Sequence, residues 1–234
     1  MYVYGRNVAK ELFINKTNIK NVYLVNDFKD KDLINDINKN NINITYLSKK
    51  EMDKLCDGNH QGIVLNIDDY NYLSDYDMLN NLKDNSFIVI LDHIEDPHNF
   101  GAIIRTCEAA GVDFIIIPKD RSVKVNSTVM KTSSGALDNV KIVMTTNLNS
   151  IIKKLKENGV WIVGTALNNS VCYDSVDYKT SVAIVIGNEG SGMSNLVMKN
   201  CDFLVNIPMI GKINSLNASV AAGIMIYEVV RQRK

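Results

Sequence analysis

Three stretches of the chain bring carboxylates, amides, hydroxyls and a guanidinium together with glycine, at spacings suited to chemistry on a bound ligand. They are Asp92-His-Ile-Glu-Asp-Pro-His-Asn-Phe-Gly-Ala-Ile-Ile-Arg105, Val185-Ile-Gly-Asn-Glu-Gly-Ser-Gly-Met-Ser194, and a third running from Leu204 to Glu228. In the first, Asn99 is placed to cap a helix, and Arg105 lies less than two turns further along it. Arg105 is one of only five arginines (6, 105, 121, 231, 233) among 26 basic residues. In so lysine-biased a chain, an arginine at a loop–helix junction points to guanidinium geometry, suited to a phosphate or carboxylate, or else to a surface ion pair. Asp92, Glu95 and Asp96 look like a metal set on paper, but loop acids are ordinarily solvated and no metal is expected. In the second stretch the glycines let backbone wrap closely around a ligand. Their spacing fits neither the dinucleotide nor the nucleoside-triphosphate fingerprint. Glu189 is the one acid there, either a solvated turn residue or a partner for a cation such as Arg105. In the third stretch, Pro208 ends a short apolar strand, and Ser215 or Asn217 can cap a helix crowded with Ala218, Ser219, Ala221, Ala222 and Gly223. So many small residues admit another backbone or a ligand at close range.

The elements that must hold these stretches follow from periodicity. Residues 1–70 read as a small α/β unit, with helices over 7–13, 31–38 and 49–55 and strands over 21–25, 42–47 and 62–67. Asp57-Gly-Asn-His-Gln-Gly62 is a turn-rich approach to the last strand. His60 and Gln61 could touch a ligand there or simply make the turn. The polar run 71–85 has no clear period and reads as a linker, with at most a helical turn near 76–82. From residue 86, short apolar strands (87–91, 114–117, 140–144, 160–164, 183–186, 203–207) alternate with helices (99–110, 125–131, 147–157, 194–199, 217–230). That alternation predicts an α/β fold with a mostly parallel sheet. Ligands of such sheets gather at the carboxyl ends of strands, where all three chemically equipped loops fall.

Composition narrows the partners little. Lys plus Arg and Asp plus Glu both number 26, so net charge gives no hint of nucleic acid, although a basic face can be local. The four cysteines (56, 107, 172, 201) show neither C-x-x-C spacing nor clustering with the three histidines, which argues against a disulfide framework or a zinc site. A reduced, cytoplasmic protein is the simplest account, and no apolar run is long enough to span a membrane.

Asn99-Phe-Gly-Ala-Ile-Ile-Arg105, Ile186-Gly-Asn-Glu-Gly-Ser-Gly192 and Ile207-Pro-Met followed by Ser215-Leu-Asn-Ala-Ser-Val-Ala221 resemble, in order and spacing, the three motifs of SPOUT-class, TrmH-like RNA ribose 2′-O-methyltransferases. Tyr4-Gly5, His60-Gln-Gly62, Pro118-Lys-Asp-Arg-Ser122, Trp161-Ile-Val-Gly-Thr165 and Val230-Arg-Gln-Arg233 extend the resemblance to the bacterial branch acting on a guanosine of 23S rRNA. Relatives that methylate tRNA share the motifs. Phe100 and Ala218 depart mildly from the family's usual Leu and Val.

The resemblance implies a trefoil-knotted catalytic domain over 86–234, an exception to the general absence of knots. It further implies a smaller N-terminal L30e-like substrate-binding domain over 1–70, S-adenosylmethionine as cofactor, no metal, and a homodimer with active sites at its interface. Carried over residue by residue, Asn99, Arg105, Glu189, Ser215 and Asn217 fall on catalytic positions, and Thr165, Gly187, Ile207 and Leu216 on cofactor contacts. Arg105 is then expected to position the nucleotide phosphate and stabilise the oxyanion, held by Asn99 and Glu189, with Ser215 and Asn217 lining the ribose pocket. Two rivals remain: a non-catalytic RNA-binding protein of the same fold, and an oxidoreductase on a doubly wound sheet. The second lacks its glycine fingerprint.

Overall fold

The computed structural model describes every residue except Asp57. Its contacts divide the chain into two units, one of Met1–Asn71 with Val125–Lys131, the other of Tyr72–Lys124 with Thr132–Lys234.

The first unit holds β1 (Tyr2–Tyr4), α1 (Arg6–Ile14), β2 (Ile19–Val25), α2 (Lys31–Lys39), β3 (Ile44–Leu47), α3 (Lys49–Met52) and β4 (Ile63–Ile67). Its sheet runs β1-β4-β2-β3, with β2 and β3 parallel and the other pairs antiparallel. Alternation along β2 and β4 puts Val22, Leu24, Ile63 and Leu65 on one face, where Val8, Ala9 and Leu12 of α1 and Leu33 and Ile37 of α2 cover them. β1 escapes a periodicity reading because three residues carry no period. The helix expected to reach residue 55 stops at Met52, started by a Ser48/Glu51 capping box. His60 is only 6% exposed, with Nε2 3.1 Å from an Asp53 carboxylate oxygen and Nδ1 accepting the Gly62 amide at 3.0 Å. Gln61 accepts the Arg6 amide through its side chain. Both residues make the turn; Asp57, which opens that turn in the sequence, lies outside the described residues.

The second unit begins earlier than the sequence suggests. Residues 72–85, expected to be a linker, fold onto its sheet: Leu73 bridges to Val143, Ser74 caps α4 (Asp75–Leu79), and Met78 is fully buried in the core. Without this segment the core would lose Leu73 and Met78, which help fill it. The elements that follow are β5 (Phe87–Asp92), α5 (Pro97–Ala109), β6 (Phe114–Pro118), α6 (Ser127–Ser133, whose residues to Lys131 cluster with the first unit), β7 (Ile142–Thr145), α7 (Leu148–Glu157), β8 (Trp161–Thr165), β9 (Val171–Cys172), β10 (Val182–Gly187), α8 (Asn195–Asn200), β11 (Phe203–Asn206) and α9 (Ala218–Arg233).

The seven strands run in the order β7-β6-β5-β10-β8-β11-β9, and every pair is parallel. Strands covered on both faces read as unbroken apolar runs, and all six residues of β5 are buried. Because β5, β10, β8 and β11 are adjacent and parallel, the loops after Asp92, Thr165, Gly187 and Asn206 leave from one edge of the sheet. α9 packs against α5 and β10. Its buried face carries Met225, Ile226 and Val229 beside Ala218 and Ala222, so it is a core helix as well as a small-residue one. Arg233 near its end donates to the carbonyls of Tyr178, Asn85 and Thr180 at 2.9, 3.0 and 2.6 Å, tying α9 to the amino edge of the sheet.

Candidate active site

The first loop is fixed by a cap the sequence reading misplaced. Asp96, not Asn99, is the N-cap of α5: its carboxylate accepts the amides of His98 and Asn99 at 3.1 and 3.3 Å, with Pro97 at the first helical position. Asn99 is thereby freed from capping, sits inside the first turn and is 7% exposed.

The third loop supplies a true asparagine cap. Asn217 Oδ1 accepts from the Ser219 amide at 2.9 Å and the Ser219 hydroxyl at 2.6 Å, opening α9. With that oxygen turned to the helix, the amide nitrogen must face away, and Asn217 Nδ2 donates to Asn99 Oδ1 at 2.9 Å. The Asn99 nitrogen is in turn directed to Glu189, donating to Oε1 at 2.6 Å. A helix cap thus sets the polarity of a three-residue chain, Asn217 to Asn99 to Glu189, which ends on a carboxylate acting as acceptor. The chain joins the loops that follow β5, β10 and β11.

Not every expected member belongs to it. Arg105 is exposed and has no hydrogen bond or ion pair among the described residues. Six residues separate it from Asn99, which turns it roughly 120° around the helix at about 100° per residue. The expectation that Asn99 and Glu189 grip the guanidinium is therefore wrong within one chain: those side chains bind each other and Asn217. Ser215 is likewise exposed and outside the network.

Thr165 ends β8, its hydroxyl donating to the Val185 carbonyl at 3.1 Å, and Gly187 ends β10. Ile207 follows β11 directly, and Leu216 precedes the cap of α9. Among the described residues, 208–216 enter no backbone–backbone hydrogen bond, leaving a run of amides and carbonyls at this edge. This run lies between the apolar Ile207 and Leu216.

The glycine loop is folded on itself. Asn188 and Gly192 exchange both backbone hydrogen bonds, at 3.1 and 2.9 Å. A Cβ on Gly187 would lie 2.3 Å from the Met193 nitrogen and 2.4 Å from the Gly192 carbonyl carbon. Only glycine lets the loop return this closely over the strand end. Behind it, Gly164 leaves room for Met193 and Cys201, and burial pushes the Cys201 thiol up to about 12, so this cysteine packs as a neutral apolar group.

Sequence reasoning missed Asp92, Asn188, His93 and Ser194 as members of this region. Asp92, grouped at first with solvated loop acids, is 1% exposed. Its place as the last residue of a continuously buried strand was the available signal.

Comparison with known proteins gives the family. Residues 86–227 match the model of the SpoU rRNA Methylase family, and residues 2–73 match a model described as RNA 2′-O ribose methyltransferase substrate binding. A Staphylococcus saprophyticus protein assigned to the TrmH family of tRNA/rRNA methyltransferases is 45% identical over 99% of this chain and 95% of its own length. Among solved structures, an rRNA methyltransferase from Sinorhizobium meliloti with bound AdoMet is 25% identical, with a TM-score of 0.79 over 98% of this chain and 86% of its own. The methyltransferase AviRb from Streptomyces viridochromogenes, in complex with AdoMet, shares the fold at a TM-score of 0.84 and 21% identity, covering 100% of this chain and 90% of its own. An all-parallel sheet with three equipped loops at one edge, matched over more than half the chain by one family model, identifies the protein as a member of the SpoU family of S-adenosylmethionine-dependent RNA methyltransferases.

Proposed function

We propose that the protein methylates the 2′-hydroxyl of a guanosine ribose in 23S rRNA. The observation that carries the reading is the Asn217–Asn99–Glu189 chain, which gathers one residue from each of the three motifs at the carboxyl edge of the sheet.

The reaction is an in-line displacement in which the ribose oxygen, a poor nucleophile, bonds the sulfonium methyl as the methyl–sulfur bond breaks to leave a neutral thioether, and the hydroxyl proton is released. Alignment of the two groups is the main requirement, and holding reactants in place can supply several powers of ten in rate. When bound, S-adenosylmethionine supplies the electrophilic methyl. Gly187, Ile207 and Leu216 would hold it, chiefly through backbone groups and apolar contact, with Thr165 beside them at the end of β8. Glu189 uses one carboxylate oxygen on Asn99, and its other has no partner among the described residues, leaving it for a ribose hydroxyl. Ser215 and Asn217 line the ribose side. Arg105 positions the nucleotide phosphate and stabilises the developing alkoxide, a role that suits a planar cation with five donors and no acceptor.

Nuclease digestion and mass spectrometry of RNA treated with the protein and labelled S-adenosylmethionine tests the reading. The label is expected on a ribose 2′-oxygen of a 23S guanosine. A methylated base overturns the catalytic assignment, and a labelled tRNA guanosine overturns the choice of substrate.

Because Arg105 stands outside the network in its own chain, roughly 120° around α5 from Asn99, a site completed by a second copy is the natural arrangement. α9 offers a surface for it: Val220 and Tyr227 are each about half exposed, and a Cβ on Gly223 between them would meet nothing within 4 Å. Sedimentation at micromolar concentration should therefore give a dimer mass; an active monomer overturns the arrangement.

The first unit selects the RNA in this reading, working in the cytoplasm. With His60 and Gln61 committed to their turn, the half-exposed rings of Tyr2 and Tyr46 are its better candidates for stacking on unpaired bases. The trefoil knot and the L30e-like form of the first unit belong to the same reading.

A further inference from the structure

The amide of Asn188 is divided between two tasks. Its nitrogen donates to the His93 carbonyl at 2.8 Å, across to the end of β5. Its oxygen accepts the Gly190 amide at 2.9 Å, the Ser191 amide at 3.2 Å and the Ser191 hydroxyl at 3.3 Å. The far end of the same loop is tied to the same strand end, for Asp92 Oδ2 accepts the Ser194 amide at 2.7 Å. Asp92 Oδ1 also meets His93 Nδ1 at 2.5 Å. His93 takes a φ of 62°, a left-handed conformation uncommon outside glycine, and its carbonyl is the one Asn188 engages. The glycine loop is therefore fastened at both ends to residues 92 and 93, and Glu189 stands between the fastened Asn188 and Gly190.

We infer that Asn188, anchored with Asp92 and His93 at the end of β5, is a positioning residue that sets Glu189 against Asn99 before substrate arrives. The inference rests on the reading of Glu189 as an active-site carboxylate. Both halves of the amide are needed, since the donor holds the loop to the strand and the acceptor holds the turn that carries Glu189. Aspartate at 188 would keep the acceptor half and set an anionic oxygen against the His93 carbonyl. Serine there would be too short to reach both.

A double-mutant cycle separates positioning from general stability. Single-turnover methyl transfer from labelled S-adenosylmethionine to an unmodified 23S rRNA transcript is measured for the wild type, Asn188→Asp, Glu189→Gln and the double variant. Asn188→Asp is expected to lose at least about tenfold in rate, the scale of a displacement of well under 1 Å at a reacting group. In the Glu189→Gln background the same change should cost less than about twofold, because residues that act as a unit are not additive. Equal losses in both backgrounds overturn the inference, since a residue that merely stabilises the fold would cost the same in each. Hydrogen exchange of the segment 187–194 gives a second reading that needs no activity: faster exchange confined to this loop is expected, and an unchanged loop overturns the anchoring. Should Asn188→Asp fail to fold, Asn188→Ser runs through the same cycle with the same outcomes. Absence of transfer by the wild type refutes the functional reading itself, a result distinct from additivity in an active enzyme.

Discussion

Arg105→Lys is expected to lower turnover at least about a hundredfold, the scale of removing one preorganised donor to a developing oxyanion. Lysine keeps the charge but loses the planar fork that can grip two phosphate oxygens at once. Affinity for S-adenosylmethionine, measured by calorimetry, should change little, because Gly187, Ile207 and Leu216, which are proposed to hold it, lie on other elements. Thermal stability should also hold: the side chain is exposed and makes no hydrogen bond or ion pair among the described residues, so no internal contact is lost. A loss of rate without loss of cofactor binding or stability is the signature to look for. Near-normal turnover in Arg105→Lys would reduce this arginine to a surface charge.

Gly187→Ala is expected to act in the opposite way, through the cofactor. The added methyl carbon would sit 2.3 Å from the Met193 nitrogen, 2.4 Å from the Gly192 carbonyl carbon and 2.9 Å from the Gly192 oxygen. All three are backbone atoms, so no side chain can swing aside and the loop itself must move by about 1 Å. Overpacking of this kind costs about 1–3 kcal/mol, and a displacement of that size beside a reacting centre costs about a hundredfold in rate. Affinity for S-adenosylmethionine should fall at least about tenfold, the equivalent of about 1.4 kcal/mol, with kcat/KM falling further. Gly190→Ala is the matched control, because its Cβ would meet only the Asn188 side-chain oxygen, at an ordinary 3.6 Å. If the two variants bound the cofactor alike, the close return of the loop would not be what shapes the pocket.

The two variants separate the contributions of the first two loops. Arg105 tests an exposed group whose side chain makes no hydrogen bond or ion pair among the described residues and whose proposed partner is RNA. Gly187 tests a position whose whole role is to be small. Between them lies the network from Asn217 to Glu189, whose orientation is set by the cap of α9.

The α/β character, the parallel sheet and the edge where chemistry is placed are legible in the order of residues alone. Apolar strands of four to six residues alternating with capped helices admit few other arrangements, and the carboxyl-end rule then locates the loops. Equally legible are the residues to watch, since an isolated acid among glycines and one of only five arginines in a lysine-rich chain are unusual wherever the fold puts them. How those residues are used depends on contacts made at long range. Asn99 carries the same capping propensity as Asp96, and only the entry of the chain into α5 assigned the cap to Asp96 and left Asn99 for Glu189. Asp92 reads as one more polar loop residue until the pairing of β5 with β10 brings the Ser194 amide to it across 102 positions of sequence. Residues 72–85 have no period of their own, yet Met78 is drawn into the core because burial responds to the neighbouring sheet and not to local alternation. Local rules act over one or two turns of chain, and side-chain partners chosen over about a hundred residues are set only when strand order closes that distance.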